Sequence, residues 1–352
     1  MNCQGDEEMN LGAPFPYFGG KKAIASIVWR ALGDVKHYME PFFGSGAVLL
    51  SRPGYDPAVH VETVCDKDGF IANVWRSLQF SPDETARWCD WPVNHADLNA
   101  RRKALLANES RLLGNLIADA EWHDPVMAGY WIWAASCWIG RGLTRPNAIP
   151  HLADAGKGVH KLSQIPHLAD AGKGVHKLSQ RPHLADAGKG VQEPYNTNIY
   201  EWFRALSARL RNVRVVCGDW SRVCGGNWQD GFGIVGMFFD PPYGEAATRD
   251  TKIYHAESLT VANDVREWCI KRADNPRYRL VLAGYFEEHK SLLAQGWTVH
   301  RWKAGGGYSK LGKPGANLNR HREALFFSPH CLRPDIGNSE AQLDFYVKEK
   351  GV

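Results

Sequence analysis

HYMEPFFGSGAVLL, residues 37 to 50, holds three structural instructions in one stretch. An apolar run ends at Glu40-Pro41, a turn is made through Gly44, Ser45 and Gly46, and a second apolar run opens a helix at Ala47. Glycine has no Cβ, so a Gly-Ser-Gly turn lets backbone come close to a ligand. The stretch from Val61, VETVCDKDGFIANVWRSL, repeats the plan as a strand ending in Cys65-Asp66 and then a helix. Upstream, PFPYFGGKKAIASIVWRALG from Pro14 reads as a Pro/Gly-rich loop followed by a helix, with Ile24, Ile27, Val28 and Leu32 at helical spacing. Two strand-to-helix units in succession predict a parallel sheet with helices on its faces, an α/β fold.

After about Leu78 the texture changes. Trp88, Trp91, Trp122, Trp131, Trp133 and Trp138 crowd together and helical segments dominate. The longest apolar stretch, Gly129 to Gly140, is about half the roughly 20 residues that a membrane span needs, and reads as a buried helix. IPHLADAGKGVHKLSQ at 149 to 164 then recurs unchanged at 165 to 180 and begins a third time after Arg181. Identical copies at this short period argue for recent tandem duplication, because stacked repeat arrays use longer units with atypical caps. Expansion of a surface loop is the plain reading; a Lys, His and Gly backbone laid against nucleic acid is the sharper one. Beyond the repeats the α/β texture returns. NIYEWFRALSARL is an amphipathic helix, VRVVCGDW a strand ending in Asp219, and GIVGMFFDPPYG a strand ending in Asp240. YRLVLAGY reads as a buried strand, and WTVHRWKA and REALFFSP as an antiparallel edge pair joined by a basic glycine-rich loop, 305 to 319.

The 352 residues carry 42 basic and 38 acidic side chains, a net charge of +4 that neither demands nor excludes a polyanionic partner. Eight cysteines form no CxxC pair and no Cys/His spacing of a zinc site, and no charged-then-apolar leader opens the chain. The expectation is a cytoplasmic protein with reduced thiols and no membrane segment.

Chemistry gathers at two turns. The first is FxGxG rather than the GxGxxG of dinucleotide folds, and the Lys-Ser/Thr of a phosphate loop is absent, so a nucleoside without phosphates fits it better. Asp66, ending the next strand, stands where an acid accepts hydrogen bonds from a ribose diol. The second is Asp240-Pro241-Pro242-Tyr243, at the carboxyl end of a buried strand, where open α/β sheets bind ligands. Its prolines fix φ and remove amide donors, so Asp240 and the Pro241 carbonyl are left to accept from one amino group. An exocyclic amine on a base is planar and a poor nucleophile. Two acceptors draw it toward tetrahedral geometry and stabilise the positive charge that develops on attack. Tyr243 offers a stacking face, an interaction worth about 1 to 3 kcal/mol per base.

These motifs resemble those of Dam-type, S-adenosylmethionine-dependent DNA adenine-N6 methyltransferases. PYFGGK (16 to 21) is similar to that family's N-terminal WAGGK element, EPFFGSGAV to its cofactor turn, CDKDGFIANVW (65 to 75) to its acidic ribose element, and DPPY to its catalytic motif. The likeness covers roughly 14 to 78 and 192 to 328. It implies a Rossmann-like class I methyltransferase: a doubly wound, mostly parallel sheet over 14–78 and 192–330, with a mainly helical target-recognition insertion at 79–191. A flexible arm at 1–13 and a tail at 331–352 flank it.

By the same resemblance the cofactor is S-adenosylmethionine, leaving as S-adenosylhomocysteine, with no metal. Its implied contacts are Tyr17, in place of a stacking tryptophan, with Lys21, Glu40, Phe42, Gly44, Ser45, Gly46, Asp66, Asp219 and Asp240. The implied partner is double-stranded DNA, with no obligatory protein partner. Pro16 stands where a basic residue that helps contact DNA is common. ASCWIGRGLTRPN (135 to 147) faintly resembles the family's hairpin reader, making Arg141 and Arg145 candidates for base contacts, since arginine reads guanine bidentately. Lys303, Lys310, Lys313, Arg320 and Arg322 form a basic run suited to phosphate, of which Lys310 and Arg320 are the chosen candidates. Cytosine-C5 methylation would need a Pro-Cys nucleophile that the chain lacks. Cytosine-N4 methylation asks the same of the pocket but more often carries Ser-Pro-Pro-Tyr. A catalytically silent DNA-binding relative, its reader disrupted by the repeats, is the alternative from outside the enzymes.

Overall fold

In the structure, a computed structural model, the described residues are 11–15, 17, 21–91, 94–138, 143–144, 199–242, 260–301 and 323–332. The strands are β1 (His37–Glu40), β2 (Val61–Asp66), β3 (Val213–Cys217), β4 (Val235–Phe239), β5 (Tyr278–Tyr285), β6 (Thr298–Arg301) and β7 (Glu323–Phe327). They form one sheet in the order β3-β2-β1-β4-β5-β7-β6. β1 to β5 run parallel, and β7 lies antiparallel to both β5 and β6. The expected doubly wound, mostly parallel Rossmann-like sheet with an antiparallel edge pair is what the chain folds into.

Alternation along the strands explains why both faces are covered. In β4, Val235, Met237 and Phe239 enter one apolar cluster and Phe238 the other. In β5, Leu280 and Leu282 are divided in the same way from Val281 and Ala283. One face carries α1 (Ala25–Leu32), entered through a 3-10 turn at Lys22–Ile24, with α3 (Gly69–Phe80) and α7 (Ile199–Leu210). The other carries α8 (Ser221–Cys224), α9 (Val261–Arg272) and α10 (Phe286–His289). Between β1 and β2 the crossover holds only the single turn α2 (Ala47–Leu50).

A further layer covers α3. It consists of α4 (Pro82–Cys89), α5 (His95–Ala118) and α6 (Pro125–Cys137), started by the side-chain caps Asn94 for α5 and Asp124 for α6. α6 is apolar around its whole circumference and is buried accordingly. Asn73 of α3 exchanges two hydrogen bonds with the Asp124 backbone, and Arg76 donates to the carbonyls of Val215, Leu116 and Asp119. α4 to α6 therefore share one apolar cluster with the sheet. The repeats from 149 onward lie outside the described residues. No helix of the described residues is long and apolar enough to cross a membrane. Seven cysteines are described, all as unpaired thiols.

Candidate active site

The sheet order reverses direction between β1 and β4. From β1 the chain winds outward through β2 and β3, then returns to β4 on the other side of β1. At such a switch point the loops leaving two neighbouring strands diverge and open a crevice at their carboxyl ends. The EPFFGSG turn leaves β1 there, and Asp240-Pro241-Pro242 leaves β4.

The turn is built by glycine geometry. Gly44 (φ 49°) and Gly46 (φ 61°) both lie in the left-handed region. A methyl group on Gly44 would also come within 2.6 Å of the Tyr17 ring, and one on Gly46 within 2.7 Å of Phe43. Four hydrogen bonds hold the turn in place. Phe43 N–H donates to the Cys65 carbonyl of β2 (2.9 Å), Gly46 N–H to the Phe43 carbonyl (2.9 Å), Gly44 N–H to Asp66 Oδ2 (2.8 Å), and the Trp75 indole N–H to the Gly44 carbonyl (2.8 Å). Ser45 is buried within the turn.

Asp66 thus braces the turn besides standing at the end of β2. Its second oxygen accepts from Asp68 N–H (2.9 Å), and Asp68 in turn caps α3 by accepting from Phe70 N–H. The residue is half-buried, but its carboxyl is packed in. Burial pushes its pKa up to about 7, with the Asp68 charge adding to the rise and the backbone donors of Gly44, Asp68 and Lys67 opposing it.

Glu40 is fully enclosed. Its Oε2 accepts from the Tyr38 hydroxyl (2.9 Å) and from Leu49 N–H of α2 (3.3 Å). Burial drives its carboxyl well above the usual range; those two donors oppose the shift, and the charges of Asp240 and Glu62 add to it. Lys21 reaches across the crevice, its Nζ 3.1 Å from Asp240 Oδ1. Phe42 stands nearly parallel to Trp220, with ring centroids 6.3 Å apart. Asp219 Oδ1 accepts from the Ser221 N–H and hydroxyl beyond the end of β3.

Tyr17, Gly44 and Asp66 therefore meet at one turn, and Lys21 meets Asp240 at the neighbouring one. Asp219 lies one strand further out, beyond β2. Tyr243, Arg141, Arg145, Lys310 and Arg320 lie outside the described residues. Sequence reasoning missed the Lys21–Asp240 pair, because nothing in either motif signals the other. It also missed Trp75, because nothing in its local sequence marks its indole as a donor to the turn. Among the described residues, no three His, Cys, Asp or Glu side chains form a group that could hold a metal ion.

Fold and site together define a doubly wound α/β protein with a glycine turn and a carboxylate–ammonium pair at its switch point. The chain matches no protein-family model, and no curated protein is similar to it.

Proposed function

We propose that this protein is a DNA methyltransferase that moves the methyl group of S-adenosylmethionine to N6 of an adenine turned out of the duplex. The observation that carries the reading is the meeting, at the carboxyl ends of two neighbouring strands, of a left-handed glycine turn and a carboxylate, Asp240, followed by two prolines. The turn suits the cofactor in its chemistry. Its glycines have no room for a Cβ, the Asp66 carboxyl faces the same backbone, and an aromatic ring, Tyr17, lies against Gly44. When bound there, the cofactor supplies an electrophilic methyl group.

The chain's own residues do the rest. Gly44 and Gly46 supply the left-handed backbone of the turn that receives the nucleoside, Asp66 accepts from its ribose hydroxyls, and Tyr17 offers a stacking face. Adenine N6 is paired inside the duplex, so the base must leave the stack to reach Asp240. There Asp240 and the Pro241 carbonyl accept from the amine, drawing its lone pair out of the ring and stabilising the positive charge that grows on it. Displacement is direct, and holding the amine in line with the methyl group supplies much of the rate. Arg141, Arg145, Lys310 and Arg320 are the proposed DNA contacts, and double-stranded DNA is the partner.

Transfer of labelled methyl from S-adenosylmethionine to duplex DNA tests this, with the product nucleosides separated after digestion. N6-methyladenine is the expected product, and N4-methylcytosine would shift the assignment to the other exocyclic amine. Asp240→Ala should abolish transfer while cofactor affinity in calorimetry stays within a few fold. Unchanged turnover in that variant would remove the mechanism.

A further inference from the structure

Lys21, a cofactor contact by the resemblance, meets Asp240 at the end of β4. Its side chain is 9% exposed and that of Asp240 22%. An ammonium so enclosed costs several kcal/mol in lost hydration unless an opposite charge meets it, and Asp240 Oδ1 meets it at 3.1 Å. The backbone of Lys21 is fixed as well. Its carbonyl accepts from Ile24 N–H (3.1 Å) at the turn that leads into α1, and Ile24 is buried in the core. The ammonium is therefore delivered from one face of the sheet to the end of β4 by an anchored segment.

The surrounding charges sharpen the point. Glu40, at the end of β1, is buried and takes the Tyr38 hydroxyl and the Leu49 amide as its partners. Burial first, and then the Asp240 and Glu62 charges, disfavour its ionised form. Lys21 meets Asp240 beside this enclosed carboxyl. A carboxylate offers about four acceptor positions on its two oxygens. A lysine fixed at Oδ1 sets the rotation of the group and leaves other positions for an incoming amine.

We infer that Lys21 is the positioning residue of the reaction, gripping Asp240 Oδ1 so that the carboxylate faces the target amine, rather than a contact to the cofactor. The inference rests on the methyl-transfer reading and adds to it the device that aims the acceptor. Without the ammonium, Asp240 loses the grip on Oδ1, and the amine is no longer held at the angle the displacement needs.

The test is steady-state methyl transfer by wild type, Lys21→Met and Lys21→Arg at saturating cofactor and duplex, with cofactor affinity measured by calorimetry. K21M should lower kcat on the order of 10²-fold, the scale expected when a reacting group is misplaced by about 1 Å. The KM for DNA and the Kd for S-adenosylmethionine should stay within a few fold of wild type. K21R, which keeps the charge in a different shape, should recover part of the lost turnover. Lys21→Gln, uncharged but still a donor, should give the same split should K21M melt early. A loss confined to cofactor affinity, with kcat at saturation unchanged, overturns the inference. A wild type that transfers no methyl group refutes the underlying reading, whereas an active wild type matched by an equally active K21M refutes only the role of Lys21.

Discussion

Asp66 answers two backbone amides, Gly44 and Asp68, with the two oxygens of one carboxyl. Its raised pKa of about 7 gives that role a pH dependence. The folded chain holds a proton that the unfolded chain releases near 3.9, so this group's contribution to stability is full below that value and is lost as pH rises through about 7. The proposed ribose contact would run the other way, because hydroxyls donate best to an ionised acceptor. Calorimetric affinity for S-adenosylmethionine should therefore rise from pH 6 to pH 8 and then level off, and Asp66→Ala should weaken binding and flatten the profile. A pH-independent affinity in the wild type would remove the ribose assignment.

His289 is the opposite case. It is wholly buried, its ring lies against Gly284 and Phe326, and neither ring nitrogen has a hydrogen-bond partner among the described residues. Burial, then the Arg266 charge, pushes its pKa down to about 3. Unfolded histidine takes a proton near 6.5, so stability should fall as pH drops from 6.5 toward 3. His289→Leu removes two unmet polar atoms and should stabilise the protein by about 1–3 kcal/mol at pH 7. Its lead over wild type in urea titrations should widen at pH 5; a constant gap would show that the histidine is not titrating as described. Asp66 and Asp240 were legible as acids that end apolar strands. His289 was not, because nothing in its local sequence says that its ring will be pressed onto a neighbouring strand.

The glycine turn is the element on which the cofactor reading depends, and Trp75 is its hidden support. The indole N–H holds the Gly44 carbonyl, and the ring packs on Phe43 and Phe15. Phe15 also meets Trp131 of α6 edge-on, with ring centroids 4.9 Å apart, so the turn and the added helical layer share one aromatic cluster. Trp75→Phe keeps most of the ring and loses the donor. It should cost about 1–3 kcal/mol in urea unfolding, since the Gly44 carbonyl is left unmet, and should weaken S-adenosylmethionine binding in parallel. Wild-type stability and affinity in that variant would mean the turn stands without it. Strands were the most legible elements, because apolar runs bounded by turn residues named every one of them. The stacking of α4 to α6 on α3 was not legible. α6 is apolar on every side, so its sequence marks no preferred face.

Across the whole molecule, the chain leaves the sheet after α3 and must come back in register. Arg209 of α7 is part of the return. It pairs with Glu62 Oε2 of β2 at 2.6 Å and donates to the Leu49 carbonyl, while both it and Arg52, at 3.1 Å, donate to Oε1 of the same buried carboxylate. Arg209→Met breaks one arm of this buried cluster and should destabilise the fold by roughly 3 kcal/mol, the low end for a broken buried pair because Arg52 remains. No measurable loss in denaturant titration would show that apolar packing of α7 is sufficient. A parallel sheet with helices on its faces was legible from the alternation of strand and helix, its doubly wound form only from the resemblance of the motifs, and the switch point not at all. The ion pairs that lock the fold were not legible either, since Glu62, Arg52 and Arg209 come together only once the segment after α2, β2 and α7 are in place.

The central claim is that the crevice between β1 and β4 methylates adenine, with Asp240 as the acceptor. Sequencing with detection of modified bases, applied to DNA from cells producing either the wild type or Asp240→Ala, tests it most directly. The account predicts N6-methyladenine at one recurring sequence with the wild type and none with Asp240→Ala. Unmodified DNA with both, or the same modification with both, would contradict it.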